Sequence, residues 1–503
     1  MHQPRCSGIL LHPTSLPGRF GIGSLGREAF HFIDFLVAAK QSIWQILPLG
    51  PTGYGDSPYS AYSAFAGNPL LIDLELLVET GDLPPEVLEI PPLPDDAVDY
   101  GAVHQLKDRL LHQAAQRFQE TASPERRAAF EEFCAYQAYW LNDYALFMAA
   151  RKDQQGALWN SWPAELCRRE EAALRSWGER LSAAIEDQKY IQFTFFQQWQ
   201  AVKNYANSQG VRIFGDIPIF VAFDSADVWA NPHLFHLDED LQPTLVAGVP
   251  PDYFSKTGQR WGNPLYRWER LQEEGYSWWL ARLKWCLANN DLVRIDHFRG
   301  FAACWAIPAA EETAVNGSWV PVQGEDFFNV LNRELGDAPI IAEDLGVITP
   351  DVEALRDRFA FPGMKILHFA FDSGPTNPYL PHNYPNNCVA YTGTHDNDTT
   401  RGWWNSLNKK SRDAVRAYLG HSCRDIAWDL IRTAQSSVAD LCIIPLQDVL
   451  DLDESSRMNL PGQSRGSWSW RVRHEQLDPQ RAERLSVLTT LYGRASRHGN
   501  KES

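Results

Sequence analysis

Five carboxylates sit at the polar ends of short apolar runs: Asp216 in VRIFGDIPIFV, Asp296 in DLVRIDHF, Glu343 in APIIAEDLG, Asp372 in GMKILHFAFD and Asp396 in NNCVAYTGTHD. Taking an unpaired carboxylate out of water is costly, so acids gathered in one place need either a metal ion or a chemical task. Spacing speaks against metal. Neighbouring residues of a strand point to opposite faces, which parts Asp296 from His297, and no HxH pair follows the first apolar run. Arg294 and Asp296 are two apart and share a face, and a guanidinium favours the ionised form of the carboxylate beside it. An ionised carboxylate held in place, with a second acid of raised pKa nearby, is the pair that cleaves glycosidic bonds. In that scheme Asp296 is the nucleophile, Glu343 the acid, and Asp396 with His395 grips sugar hydroxyls. Arg299 is expected to make only a salt bridge at the rim.

Sugars also need flat apolar surfaces beside polar groups. The chain has 19 Trp, 17 Tyr and 25 Phe, most of which a large core absorbs. However, TGYGDSPYSAYSAF, KTGQRWGNPLY and TTRGWWN set rings among Gly, Pro and Asn, where a core has little use for them. The net charge of -17 argues against nucleic acid or an anionic membrane as partner, since both call for basic patches. Eight cysteines are scattered without a CxxC pair, as befits thiols of a reducing compartment. The N-terminus lacks a signal-peptide apolar core, and no run approaches the roughly 20 apolar residues of a membrane span. The expectation is a cytoplasmic protein without cofactor or bound metal.

Eight runs carry strand character: 7–13, 42–50, 211–221, 291–298, 338–346, 363–372, 386–396 and 441–448. They are apolar nearly throughout, as parallel strands buried on both faces are. Helix-like stretches at 26–40, 276–290 and 350–359 lie between them. Eight strands alternating with helices point to a (β/α)8 TIM barrel, whose catalytic groups lie at the C-terminal strand ends. A doubly wound sheet would want a Gly-rich phosphate turn after its first strand, and none is present. The spacing implies one catalytic barrel over 1–503 with a mainly helical insertion at about 51–205 and a loop insertion at about 222–276. Within the first insertion Phe133, Tyr136, Trp140, Tyr144 and Phe147 recur at three or four, one helical packing face. About 55 residues follow the eighth run, too few for a C-terminal β-sandwich.

The blocks GDSPYSAYSAFAGNP, FGDIPIFV, RIDHFRGF, IAEDLG and GTHDNDTTRGWW, in this order between HPTSLPG and RMNLPGQSRGSWSWR (457–471), resemble the motifs of the 4-α-glucanotransferases. These are also called amylomaltases or disproportionating enzymes, and belong to the α-amylase clan. The one departure is Ser467, where the family pattern leads one to expect Asn. The resemblance implies retaining transfer of α-1,4-glucan segments through a covalent glycosyl-enzyme, in starch, glycogen or maltodextrin metabolism, with cyclisation of amylose as a further outcome. It assigns Asp296 as nucleophile, Glu343 as general acid/base and Asp396 as transition-state stabiliser, with carboxyl groups about 5–5.5 Å apart. Tyr59 matches a donor-site stacking residue, and Ser57, Asp216, Arg294, Asp372 and His395 are expected at the substrate. Trp261, between Gly258 and Gly262, resembles a mobile acceptor lid, with Gln259 and Asn263 bonding hydroxyls; Tyr54 resembles part of a remote glucan groove. Partners are α-1,4-glucans and maltooligosaccharides, and the chain is expected as monomer or homodimer. The alternatives are an α-1,4-glucan hydrolase of the same clan and a non-catalytic glucan-binding protein.

Overall fold

The computed structural model describes residues 5–251, 255–462 and 466–495. Each of the eight apolar runs forms one strand of a single parallel sheet: β1 Cys6–Leu10, β2 Ile43–Gln45, β3 Arg212–Pro218, β4 Leu292–Asp296, β5 Ile340–Ala342, β6 Gly363–Ile366, β7 Cys388–Tyr391 and β8 Leu441–Pro445. Their order, β6-β7-β8-β1-β2-β3-β4-β5, is that of a barrel. The Ala342 N–H donates to Pro362 O at 2.9 Å, joining β5 to the lead-in of β6. Alternation along each strand sends Phe214, Leu292, Ile341, Val389 and Ile443 into one buried cluster, while Val293, Ile295 and Ala342 pack outward on helices. Gly8 shows how tightly β1 meets β2, because a Cβ there would fall 2.3 Å from Ile43 O.

Five long helices lie between β2 and β3: Tyr100–Thr121, Pro124–Tyr136, Ala138–Asp153, Glu171–Arg180 and Ser182–Ser208. Asp99 and Ser123 cap the first two by accepting the Ala102 and Arg126 N–H. The aromatic face from Phe133 to Phe147 is not continuous. Gln137 leaves helical geometry (φ -95°, ψ 7°) and its Oε1 accepts the Trp140 indole N–H at 2.8 Å. Beyond that break Trp140, Tyr144 and Phe147 are buried, whereas Tyr136 is 78% exposed.

The stretch GQRWGNP, expected as loop, is a strand. Gln259–Pro264 forms the edge of a four-stranded antiparallel sheet, next to Leu245–Val249, then Ala303–Pro308 and Ser318–Pro321. Two of these strands follow β3 and two follow β4, so the sheet ties both segments together beside the C-terminal end of the barrel. After β8, a strap through Arg457 and Trp470 runs back over the barrel mouth to the helix Pro479–Leu491.

Three buried cations hold these parts by backbone carbonyls. Lys107 Nζ donates to Leu70 O and Ile72 O, Arg471 to Leu16, Gly18 and Pro94 O, and Arg494 to Cys6, Gln435, Ser437 and Ala439 O. Hydrogen bonds from a charged donor contribute about 1.5–3 kcal/mol each. Arg494 thereby ties β1 to the segment entering β8.

Candidate active site

The alternation of β4 sends Arg294 and Asp296 inward above Leu292, and its register with β3 sets Asp216 directly beside Arg294. Arg294 is buried among acids. Its Nη1 donates to Asp216 Oδ2 at 2.6 Å, and its Nη2 reaches Asp296 Oδ1 at 2.8 Å and Glu343 Oε2 at 3.1 Å. One cation facing three acids cannot keep all of them ionised. Burial pushes the Glu343 carboxyl well above the usual range, against Arg294 and with the help of the negative Asp296. Asp216 is pushed up as well, again chiefly by burial, with Arg294 opposing. Because Asp296 and Glu343 touch the same nitrogen, their facing oxygens are no further apart than those two contacts laid end to end. That bound is short of the about 6.5–9.5 Å that separates the carboxyl groups of an inverting pair.

Glu343 directly follows β5, and its Oε2 also accepts the His297 N–H at 2.5 Å. His297 lies outside the strand in left-handed geometry (φ 52°, ψ 52°), so the strand rule that separated it from Asp296 does not extend to it. Its ring is edge-on to Trp261, with centroids 4.8 Å apart, and burial lowers its pKa to about 4.

Tyr59 closes the other side. Its hydroxyl donates to Asp216 Oδ2 at 2.6 Å, its ring stacks on His395 at 5.2 Å, and its N–H is accepted by Ser57 Oγ at 3.2 Å. His395 Nε2 lies 3.4 Å from Asp396 Oδ1. That carboxylate is 46% exposed, the most open of the three proposed catalytic acids. It is held from the strap: Asn459 Nδ2 donates to Asp396 Oδ1 at 2.6 Å, and Arg457 Nη2 to its backbone O at 2.6 Å. Trp468 lies 5.9 Å from Tyr59 and 6.0 Å from His395, ring to ring. Neither residue type nor spacing marks Arg457, Asn459 or Trp468, although all three belong to the RMNLPGQSRGSWSWR block. Ser467 Oγ accepts the Leu460 N–H at 3.2 Å, a local brace within the strap; residues 463–465 of that block lie outside those described.

Other expected residues fall differently. Trp261 is 39% exposed, and its indole N–H donates to Gln259 Oε1 at 3.2 Å. Asn263 gives its amide N–H to Val221 O at 2.9 Å, so that donor is already engaged. Gly258 turns at φ +66°, where a Cβ would meet Val249 O at 2.4 Å. Asp372 is not a strand-end group. The apolar run leaves β6 at Ile366 through the turn Leu367–Phe369, and Asp372 is exposed beyond it, accepting from Asn377 Nδ2 at 3.2 Å. Arg299 makes no rim salt bridge among the described residues. It donates to Val347 O and Thr349 Oγ1, and its guanidinium lies 3.8 Å over the Trp319 ring. The Tyr54 side chain lies outside those described.

Over residues 11–477 the chain matches the family model described as 4-alpha-glucanotransferase. It is 54% identical over 503 residues to the 4-alpha-glucanotransferase of Synechocystis sp., across 99% of this chain and 100% of that protein. With the 4-alpha-glucanotransferase of Thermus thermophilus the identity is 53% over 496 residues, 97% of this chain and 99% of that one. Among solved structures, the amylomaltase from Streptococcus agalactiae in complex with acarbose is similar at a TM-score of 0.95 and 40% identity, covering 98% of this chain and 100% of its own.

Proposed function

The chain belongs to the 4-alpha-glucanotransferase family and is a transferase of that activity, and from this premise we propose how its residues divide the reaction. Asp296 attacks the anomeric carbon of a donor α-1,4-glucan while Glu343 gives its proton to the leaving oxygen. The bond to the reducing-end part breaks, and a β-linked glycosyl ester on Asp296 remains. Glu343, now ionised, takes the proton of the 4-hydroxyl of an acceptor sugar. That oxygen displaces Asp296 and restores the α-1,4 link. The observation that carries this reading is the shared Arg294 Nη2, which holds a nucleophile and a raised-pKa acid at one point.

Asp396, braced by Asn459 and His395, holds sugar hydroxyls as the ring flattens. Tyr59 and His395 form the donor-side wall, and Trp261 the acceptor-side platform. Water at roughly 55 M competes for the intermediate, so the acceptor wins by being positioned. The substrates are α-1,4-glucans and maltooligosaccharides, and acarbose, with which the Streptococcus agalactiae amylomaltase is in complex, is expected to bind. The described residues include no helix long and apolar enough to cross a membrane. All eight cysteines are free thiols, as a reducing compartment keeps them, which supports a cytoplasmic enzyme. The acids, Arg294 and the strap all come from one chain, which supports a working monomer or a homodimer of complete sites. Incubation with maltotriose alone tests the reading: a ladder of longer and shorter oligomers is expected, and glucose and maltose as sole products would overturn it in favour of a hydrolase.

A further inference from the structure

Away from the cleft, two histidines and a glutamate meet where the first barrel helix touches the chain beyond the strap. Glu28 and His31 are one turn apart on the helix Arg27–Ala38, and His474 opens the short turn His474–Gln476. His474 Nδ1 lies 3.0 Å from Glu28 Oε2, and His31 Nδ1 lies 3.8 Å from the same oxygen. The two imidazoles pack together with centroids 4.8 Å apart, and the three ligand atoms all fall within 4.8 Å of one another. Only the shorter contact is a hydrogen bond, because 3.8 Å lies beyond that range. Both rings bring Nδ1 within 3.8 Å of one carboxylate oxygen.

A transition-metal dication suits this geometry better. Bonds of about 2.0–2.2 Å in a tetrahedral array place neighbouring donor atoms about 3.4 Å apart, and the 3.0 and 3.8 Å gaps to Glu28 Oε2 straddle that value. Neutral imidazole with carboxylate is a ligand set for zinc, and for nickel and copper by the same preference. All three side chains are partly exposed, which leaves the remaining coordination position to water. We propose that Glu28, His31 and His474 form a binding site for a zinc-class dication that staples the C-terminal segment to the first barrel helix. The staple joins residues 446 positions apart, and the loop-closure entropy removed from the unfolded chain grows with that length. It lies just beyond the strap whose other end holds Asp396.

Chelator-treated full-length protein, titrated with ZnCl2 by calorimetry and followed by thermal unfolding, tests the site. One equivalent is expected to bind here and raise Tm. His31→Asn and His474→Asn should each weaken that equivalent at least about tenfold and erase the Tm gain, while zinc-free transfer from maltotriose stays unchanged. His421, Cys423 and Asp429 form a second potential set, and Co2+ separates the two. A thiolate ligand adds charge-transfer absorption, which a His–His–Glu site lacks. Absence of binding to the native chain, undiminished binding in both histidine variants, or binding seen only with thiolate absorption would each overturn the proposal.

Discussion

Glu343 Oε2 rests 2.5 Å from the backbone N–H of His297, the residue that follows Asp296. The proposed acid is therefore anchored to the turn that carries the proposed nucleophile, and the two share Arg294 Nη2 as well. Any movement of β4 against β5 would disturb both groups together.

The proton on Glu343 owes part of its hold to the charge of Asp296, which raises that pKa behind the larger effect of burial. Asp296→Asn removes the charge, so the Glu343 pKa should fall toward the ordinary carboxylate range. NMR titration of labelled glutamate in the two proteins checks the sign; an unchanged or higher value in the variant would contradict the coupling.

Asn459 touches Asp396 from the strap. Loss of one hydrogen bond to a charged group costs about 1.5–3 kcal/mol, so Asn459→Ala should lower kcat about ten- to a hundredfold. KM for maltotriose should move little, because the bond positions a group that acts as the ring flattens. A variant with native kcat would remove Asn459 from the account.

Trp261 lies against His297, on the side assigned to the acceptor. Trp261→Ala should let water take a larger share of the glycosyl-enzyme, seen as reducing ends rising steadily during incubation with a long glucan. Folding should be unaffected, since the indole is substantially exposed. Unchanged partition between water and sugar would place the acceptor elsewhere.

Burial holds His12 and His368 at about 3 and His297 at about 4, below the 6.5 of an unfolded histidine. Between pH 6.5 and about 3 the unfolded chain binds more protons than the folded one. This part of the stability is therefore whole above pH 6.5 and is lost as pH falls through that window. Urea unfolding across pH 4–7 should show the decline, and His368→Phe should make it shallower. An identical slope in the variant would contradict the assignment.

The barrel strands were legible because parallel strands buried on both faces read as continuous apolar runs, and Asp296 and Glu343 stood out as charges where such runs stop. Asp372 misled for the same reason: its run stays apolar past Ile366, although the chain has already turned there. Gln259–Pro264 contains a glycine, an asparagine and a proline, a poor strand on propensity, and exists through pairing with Leu245–Val249. Asn459 reaches Asp396 across 63 residues on a strap with little regular structure, so no periodicity announces it. The kink at Gln137 depends on a side-chain bond to Trp140, which a count of spacings does not contain.

The covalent step on Asp296 is the centre of the account, and mass spectrometry reads it directly. The Glu343→Gln variant, supplied with α-maltosyl fluoride, needs no proton for departure of fluoride but lacks the base that would resolve the ester. The expected product is a chain heavier by one maltosyl unit, with the modified peptide carrying it on Asp296. An unmodified chain, or a maltosyl unit on Asp396 or another acid, would contradict it.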